Sequence, residues 1–257
     1  MDIKFKVGVI TGGSSGIGRA TSERLAKEGA AILVADLDEA GGAETVKRIE
    51  SAGGRAAFVK TDVTKIDDVR RMLDTALSKF GRLDILHNNA GIGVGAPGYP
   101  DAPPERWHLV VEIDLQAVIL GTGLAAPIMQ KQGGGVIVNT ASMAGLYPHR
   151  QDAVYGAAKG GVVNFTHSLA SWEAERKIRV NCVCPGIVDT PMVRRGLELA
   201  KQHGIKSWMP AHIIQPEEIA DAVVSLIRDD SLFGCSLEVR PTGRRIVDPR
   251  PAPGSRR

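Results

Sequence analysis

The sequence predicts a single α/β domain: a doubly wound, mostly parallel seven-stranded sheet with helices on both faces. Three observations carry that prediction. Strand-length apolar runs alternate with helix-length segments along the chain, the pattern of parallel βαβ units. The runs are nearly continuous instead of alternating in polarity, as strands covered on both faces must be. No linker or internal repeat divides the 257 residues, a length at which one α/β domain buries a sizeable core without staples.

The elements follow in order. "KVGVIT" is a short apolar strand, and after a glycine turn "IGRATSERLAKEG" has helical spacing and a glycine stop. "AAILVAD" is the second strand, "EAGGAETVKRIESAGG" a helix, "AAFVKTD" the third strand and "IDDVRRMLDTALSKFG" a helix. "LDILHNNAG" is the fourth strand. A Gly/Pro loop over 91–104 leads to a long helix ending near Gln132. "GGVIVNTAS" is a strand, "YGAAKGGVVNFTHSLASWEAE" a helix and "IRVNCVCPG" a strand. Residues 187–215 read as irregular or short-helical. "PEEIADAVVSLIRDD" is a helix with proline in its first turn, and "CSLEVR" is the last strand. The domain is therefore expected over 1–243, with 244–257 as a basic, flexible tail.

Composition narrows the function classes. The chain is 43% hydrophobic and 24% charged, with a net charge of +3, too small a surplus to argue for nucleic acid. Part of it lies in "RRIVDPRPAPGSRR". The longest apolar stretch, "LVVEIDLQAVILGTGLAAPIM", carries Glu112 and Asp114, so a buried helix is expected and not a membrane span. The N-terminus has no signal-peptide layout, and a cytoplasmic location is expected. Three cysteines, Cys182, Cys184 and Cys235, are read as reduced structural thiols; Cys182 and Cys184 are expected on opposite strand faces, hence unpaired. No His, Cys and acidic cluster has metal-ligand spacing.

Ligands of doubly wound sheets bind at the carboxyl ends of the strands. Directly after the first strand comes "TGGSSGIGRA", with Gly12, Gly16 and Gly18 spaced G-x-x-x-G-x-G. Gly12 permits a tight turn, Gly16 a close approach to a pyrophosphate, and Gly18 close packing of helix on sheet. Ser14, Ser15 and Ile17 complete this dinucleotide-binding loop at a helix N-terminus. Asp36 ends the second strand. Its carboxylate can accept both ribose hydroxyls of an adenosine and would repel a 2′-phosphate. With Leu37 next and Ser15 before Gly16, no cation offsets that repulsion, so the cofactor is expected to be NAD. The other reading of Asp36 is a cap for the following helix. Asp62 and Val63 end the third strand where an adenine can rest. Asn89, Ala90 and Gly91 end the fourth with room for a ribose. Asn89 can equally tie two strand ends together.

The fifth strand ends in Ser142, followed by Tyr155 and Lys159. Positions i and i+4 share a helix face. A nearby ammonium, with a cationic nicotinamide, favours the phenolate, so Tyr155 can exchange a proton with a substrate hydroxyl. Ser142 can hold the same oxygen. The cofactor would carry the hydride.

Glycine loop, Asp36, Asn89, Ser142, Tyr155 and Lys159 together resemble the short-chain dehydrogenase/reductase family, from Val7 to about Val239. "ASMAGLYP", "VYGAAKGGVVNFTHS", "RVNCVCPGIVDT" and "LIRDDSLFG" are most similar to its branch containing 15-hydroxyprostaglandin dehydrogenase. The resemblance implies that "PGIVDT" (Pro185, Gly186, Val188 and Thr190) clasps the nicotinamide carboxamide, through backbone groups of Val188 and the hydroxyl of Thr190. It implies that Lys159 also bonds the nicotinamide ribose, and that the enzyme is a homodimer or homotetramer. Two departures stand out. Asp114 occupies the place of a family asparagine whose carbonyl holds a relay water; its carboxylate can pair with Lys159. Asp152, beside Gln151, stands where the prostaglandin branch has a glutamine facing substrate.

Residues 187–215 would cover the nicotinamide as a lid, with Met192 and Trp208 among its apolar walls, and Val94, Leu146 and Tyr147 opposite. This set suits an apolar, medium-sized secondary alcohol or ketone, with no nucleic-acid or membrane partner. The leading expectation is an NAD-dependent oxidoreductase. The alternatives are a ketoreductase of carrier-bound ketones and a non-catalytic dinucleotide-binding regulator.

Overall fold

The computed structural model describes residues 1–150, 152–205 and 213–249. Its strands are β1 (Val7–Thr11), β2 (Ala31–Asp36), β3 (Arg55–Lys60), β4 (Ile85–Asn88), β5 (Gly135–Thr140), β6 (Ile178–Pro185), β7 (Ser236–Arg240) and β8 (Gly243–Val247). They form one sheet in the order β3-β2-β1-β4-β5-β6-β7-β8. β1 to β7 pair in parallel, and β8 pairs antiparallel with β7. The chain steps outward from β1 to β3, then returns to the other side of β1 to begin β4. The loops after β1 and β4 therefore diverge and leave a crevice, the usual ligand position in such sheets.

The helices are α1 (Gly16–Lys27), α2 (Glu39–Ser51), α3 (Ile66–Phe80), α4 (Pro104–Val111), α5 (Ala117–Lys131), α6 (Met143–Leu146), α7 (Ala153–Ser168), α8 (Trp172–Arg176), α9 (Pro191–Gln202) and α10 (Pro216–Arg228). Two apolar layers sandwich the sheet. Ile10, Ile32 and Val34 join Leu25 of α1 and Ile219 and Val223 of α10 on one face. Val9 and Leu33 point the other way, onto Met72 and Leu73 of α3 and Met129 of α5. Neighbours in sequence serve opposite layers because strand side chains alternate. Full burial of each such side chain contributes about 1.5–3 kcal/mol.

Four expectations are corrected. Among the described residues the sheet has eight strands, not seven: Gly243–Val247, which lies in the expected tail but for its first residue, pairs with β7. The long helix over 104–131 is interrupted by a π-helical segment, Glu112–Gln116. Residues Pro191–Gln202 form a regular helix in the expected lid. Cys182 and Cys184 share one strand face, as residues two apart must, with Sγ atoms 4.0 Å apart; both are buried, and neither they nor Cys235 form a disulfide. Residues 104–131 are long and apolar enough to cross a membrane by length and composition, but α5 is packed against α3, β4 and β5.

Candidate active site

The loop after β1 is built on contacts that leave no room for side chains. Gly12 takes φ +64°, open to glycine at little cost, and a Cβ there would lie 2.9 Å from Ala90 Cα. A Cβ on Gly18 would lie 2.1 Å from the Gly12 carbonyl oxygen and 2.7 Å from Asn89 Nδ2. Gly18 therefore lets α1 sit against the turn. Gly16, at φ +50°, approaches Thr190, 3.1 Å from its would-be Cβ. Ser15 is the N-cap of α1 in extended conformation and makes no side-chain cap bond, so its side chain leaves the first-turn N–H groups, Ile17's among them, unengaged.

Asp36 closes the loop from the β2 side. Its Oδ2 accepts from Ser14 N at 3.0 Å and its Oδ1 from Asp38 N at 3.0 Å. The cap of α2 is Asp38, which accepts from Gly41 N, so the helix-capping alternative for Asp36 belongs to its neighbour. Leu37 is 57% exposed. One cation does stand behind this loop: Arg19 donates to the Ser14 and Gly41 carbonyls and to Thr45 Oγ1. Asp62 turns its carboxylate onto Thr64, while Val63 lines a cleft with Thr11, Ala90, Ile113 and Ala117. Asn89 ties three strand ends: Nδ2 donates to the Thr11 and Gly12 carbonyls, and Oδ1 accepts from Thr140 Oγ1.

At the carboxyl end of β5, Ser142 caps α6 and accepts from Ala144 N at 3.1 Å. Its hydroxyl is also close enough to the Tyr155 phenol to ease loss of the phenol's proton. Lys159 is buried, lies 5.7 Å from the Tyr155 ring centroid, and donates to the Thr140 carbonyl at 2.9 Å. Asp114, wholly buried, sits 2.9 Å from Lys159 Nζ. It reaches there from the π-helical segment, whose extra residue per turn is a frequent device at functional sites.

Burial dominates the proton affinities. It raises the Tyr155 phenol above its ordinary value; Lys159 and the Ser142 hydroxyl pull it down, and Asp114 and Asp152 push it further up. Burial also lifts the Asp114 carboxyl, against the pull of Lys159. The same burial would lower Lys159, but Asp114 and Tyr155 outweigh it and hold the ammonium above its ordinary value.

The arrangement matches a known family over most of its length. The short chain dehydrogenase family matches residues 6–198. The chain belongs to that family. It is 40% identical over 230 residues to a cis-4-hydroxycyclohexanecarboxylate dehydrogenase of Sinomonas cyclohexanicum, covering 89% of this chain and 91% of that one. It is 33% identical to the 15-hydroxyprostaglandin dehydrogenase [NAD(+)] of Mus musculus, covering 93% and 91%. A solved 3-ketoacyl-(acyl-carrier-protein) reductase from Brucella melitensis, complexed with NADH, superposes with a TM-score of 0.82 at 33% identity, covering 92% and 97%. This short chain dehydrogenase is thus an oxidoreductase.

Its remaining predicted residues divide. After Pro185 and Gly186, Val188 forms a parallel bridge with Ile214, in which Ile214 N donates to Ile187 O and Asp189 N to Ile214 O. The Val188 N–H and C=O are left facing away from that pair. Thr190 caps α9 through Oγ1, accepting from Val193 N at 3.3 Å, which leaves its hydroxyl proton to donate. Met192 is exposed on α9; Gln151 and Trp208 lie outside the described residues. Asp152 is a clamp: Oδ1 accepts from Tyr155 N at 3.0 Å and Oδ2 from Val94 N at 2.8 Å. Both oxygens are therefore engaged by backbone. Tyr147 turns to Glu238 and Arg240 at the end of β7.

Beside Tyr155 stands an apolar wall of which the sequence marked Val94 alone. Val94, Ala102 and Val110 pack with Ile92, Trp107 and Val154 against it. Trp107 is fixed here by its Nε1 bond to the Ala102 carbonyl and by edge contact with Tyr99. The Gly/Pro loop preceding α4 hid this signal, because its apolar residues follow no period.

Proposed function

We propose that this enzyme interconverts a secondary alcohol and a ketone with NAD, using Tyr155 as general acid and base. The observation that carries the reading is the buried Lys159 ammonium, pinned to the Thr140 carbonyl at 2.9 Å and 5.7 Å from the Tyr155 ring centroid. Tyr155 Oη takes the hydroxyl proton in oxidation and returns one to the carbonyl oxygen in reduction. Ser142 orients that oxygen, and the wall of Ile92, Val94, Trp107 and Val154 excludes water.

The side-chain-free cradle of Gly12, Gly16 and Gly18 fits a dinucleotide, with Asp36 receiving the adenosine ribose and Val188 and Thr190 the carboxamide. When bound, NAD supplies the hydride acceptor. Asp36 favours NAD over NADP because its carboxylate would meet a 2′-phosphate; Arg19 is already committed to backbone carbonyls. The apolar wall supports an apolar substrate, and the Sinomonas relative, named for a cyclic secondary alcohol that also bears a carboxylate, supports cyclic secondary alcohols first. Exposed Leu109 and Ile119 on the α4–α5 run support a homodimer or homotetramer, and a cytoplasmic location is proposed with it. A second reading, reduction of carrier-bound ketones, draws support from the NADH-bound Brucella reductase.

The test is purified protein with NAD or NADP and a panel of secondary alcohols and ketones, followed at the nicotinamide absorbance. Tyr155→Phe is expected to abolish turnover while NADH binding persists. Retained turnover in that variant would refute the assignment. Substrate restricted to acyl-carrier thioesters would select the second reading.

A further inference from the structure

Asp114 and Lys159 are both buried, at 0% and 3% side-chain exposure, with Oδ1 and Nζ 2.9 Å apart. Removing one such charge would leave the other stranded. Yet the contact is an ion pair without an aligned hydrogen bond: Nζ aims at the Thr140 carbonyl, and Asp114 Oδ1 has no hydrogen-bond partner among the described residues. Asp114 Oδ2 accepts from Ile92 N at 3.3 Å. Two residues further along the same loop, Val94 N donates to Asp152. Two carboxylates thus hold one backbone segment, at Ile92 and at Val94.

The charges facing that phenol can be counted by element. Lys159 lies on α7, Asp114 on the π-helical segment and Asp152 at the head of α7. Ser142 stands at the head of α6, and the His149 ring lies 6.3 Å away in the preceding loop. Cys184 of β6 acts on Lys159 from behind. One ammonium is therefore opposed by two carboxylates.

We infer that Asp114 is a positioning residue that offsets the Lys159 charge, keeps Tyr155 protonated in the resting enzyme, and so sets the protein to donate a proton to a ketone near neutral pH while alcohol oxidation waits for alkaline pH. The inference rests on the function proposed above. Burial acts on the phenol in the same direction.

Two measurements test it. The first is the pH profile of kcat/KM for oxidation in wild type and Asp114→Asn, which removes the charge and keeps an oxygen for Ile92 N. The inflection is expected to fall by about one pH unit, the scale of a single neighbouring charge, so that oxidation below the inflection rises about tenfold relative to the variant's own plateau. A superimposable profile, or an equal loss at every pH, overturns the inference. The second needs no turnover: ultraviolet difference titration of wild type against Tyr155→Phe, repeated in the Asp114→Asn background, reads this phenol with and without the carboxylate. Its phenolate is expected above the ordinary value of about 10 in wild type and lower when Asp114 is replaced; formation near neutral pH in wild type, or no change on replacing Asp114, overturns the inference. If no alcohol or ketone is turned over but the titration behaves as stated, the proposed function fails and the electrostatic assignment stands.

Discussion

Gly91 and Asp114 compete for one space: a Cβ built on Gly91 would lie 2.5 Å from Asp114 Oδ1 and 3.4 Å from Lys159 Nζ. The glycine ending the β4 loop makes room for a carboxylate of this chain. Gly91→Ala is expected to destabilise the fold by about 1–3 kcal/mol through overpacking. In the double variant with Asp114→Ser the same alanine should cost markedly less. Additive losses in urea unfolding would contradict the contact.

Gly18 has a harder limit, because its neighbour is backbone. Gly18→Ala is expected to weaken NADH binding and lower Tm together, since α1 must move away from the Gly12 carbonyl. Fluorescence titration with NADH reads the first effect and thermal unfolding the second.

Asp152 should behave as a structural cap. Asp152→Ala is expected to cost about 1–2 kcal/mol and to expose the 92–103 loop to proteolysis, because it frees Val94 N as well as Tyr155 N. A residue serving only substrate would leave both unchanged and alter KM alone.

His87 makes acid stability a one-sided function of pH. Burial holds its imidazole down at about 3, against an ordinary 6.5. The unfolded chain therefore takes up a proton below pH 6.5 that the folded one refuses. Stability from this group is whole above 6.5 and is lost as pH falls towards 3, by about 2 kcal/mol at pH 5. His87→Gln should lose less between pH 7.5 and 5 in urea unfolding than wild type does.

Asp36 holds the glycine loop as well as any ribose. Asp36→Ala is expected to narrow the ratio of NAD to NADP affinity and to loosen Ser14, whose N–H it accepts. Unchanged discrimination would assign Asp36 to the loop alone.

Legibility followed the range of the interactions. The glycine loop and the Tyr155–Lys159 pair were readable because spacing along one turn or one helix places them. The strands were readable as apolar runs, but β8 was not: "GRRIV" is mostly exposed and carries no period that marks a buried face. Asp152 was read as a substrate contact because its partner, Val94 N, comes from a distant loop. The closeness of Asp114 to Gly91 was not legible, because the two are distant in sequence and nothing local brings them together. The π-helical segment was equally hidden, since helical periodicity runs through it unbroken.

The last strand has a consequence for the behaviour of the molecule in concentrated solution. An outermost strand leaves a row of amide donors and acceptors that neighbouring molecules can copy. Here that margin carries Arg244 and Arg245, the first reaching the Glu218 carbonyl and the second Glu238. Two like-charged guanidinium groups on a five-residue rim repel an identical rim. The like charges thereby oppose edge-to-edge pairing of two molecules along this border of the sheet, whose other border is β3.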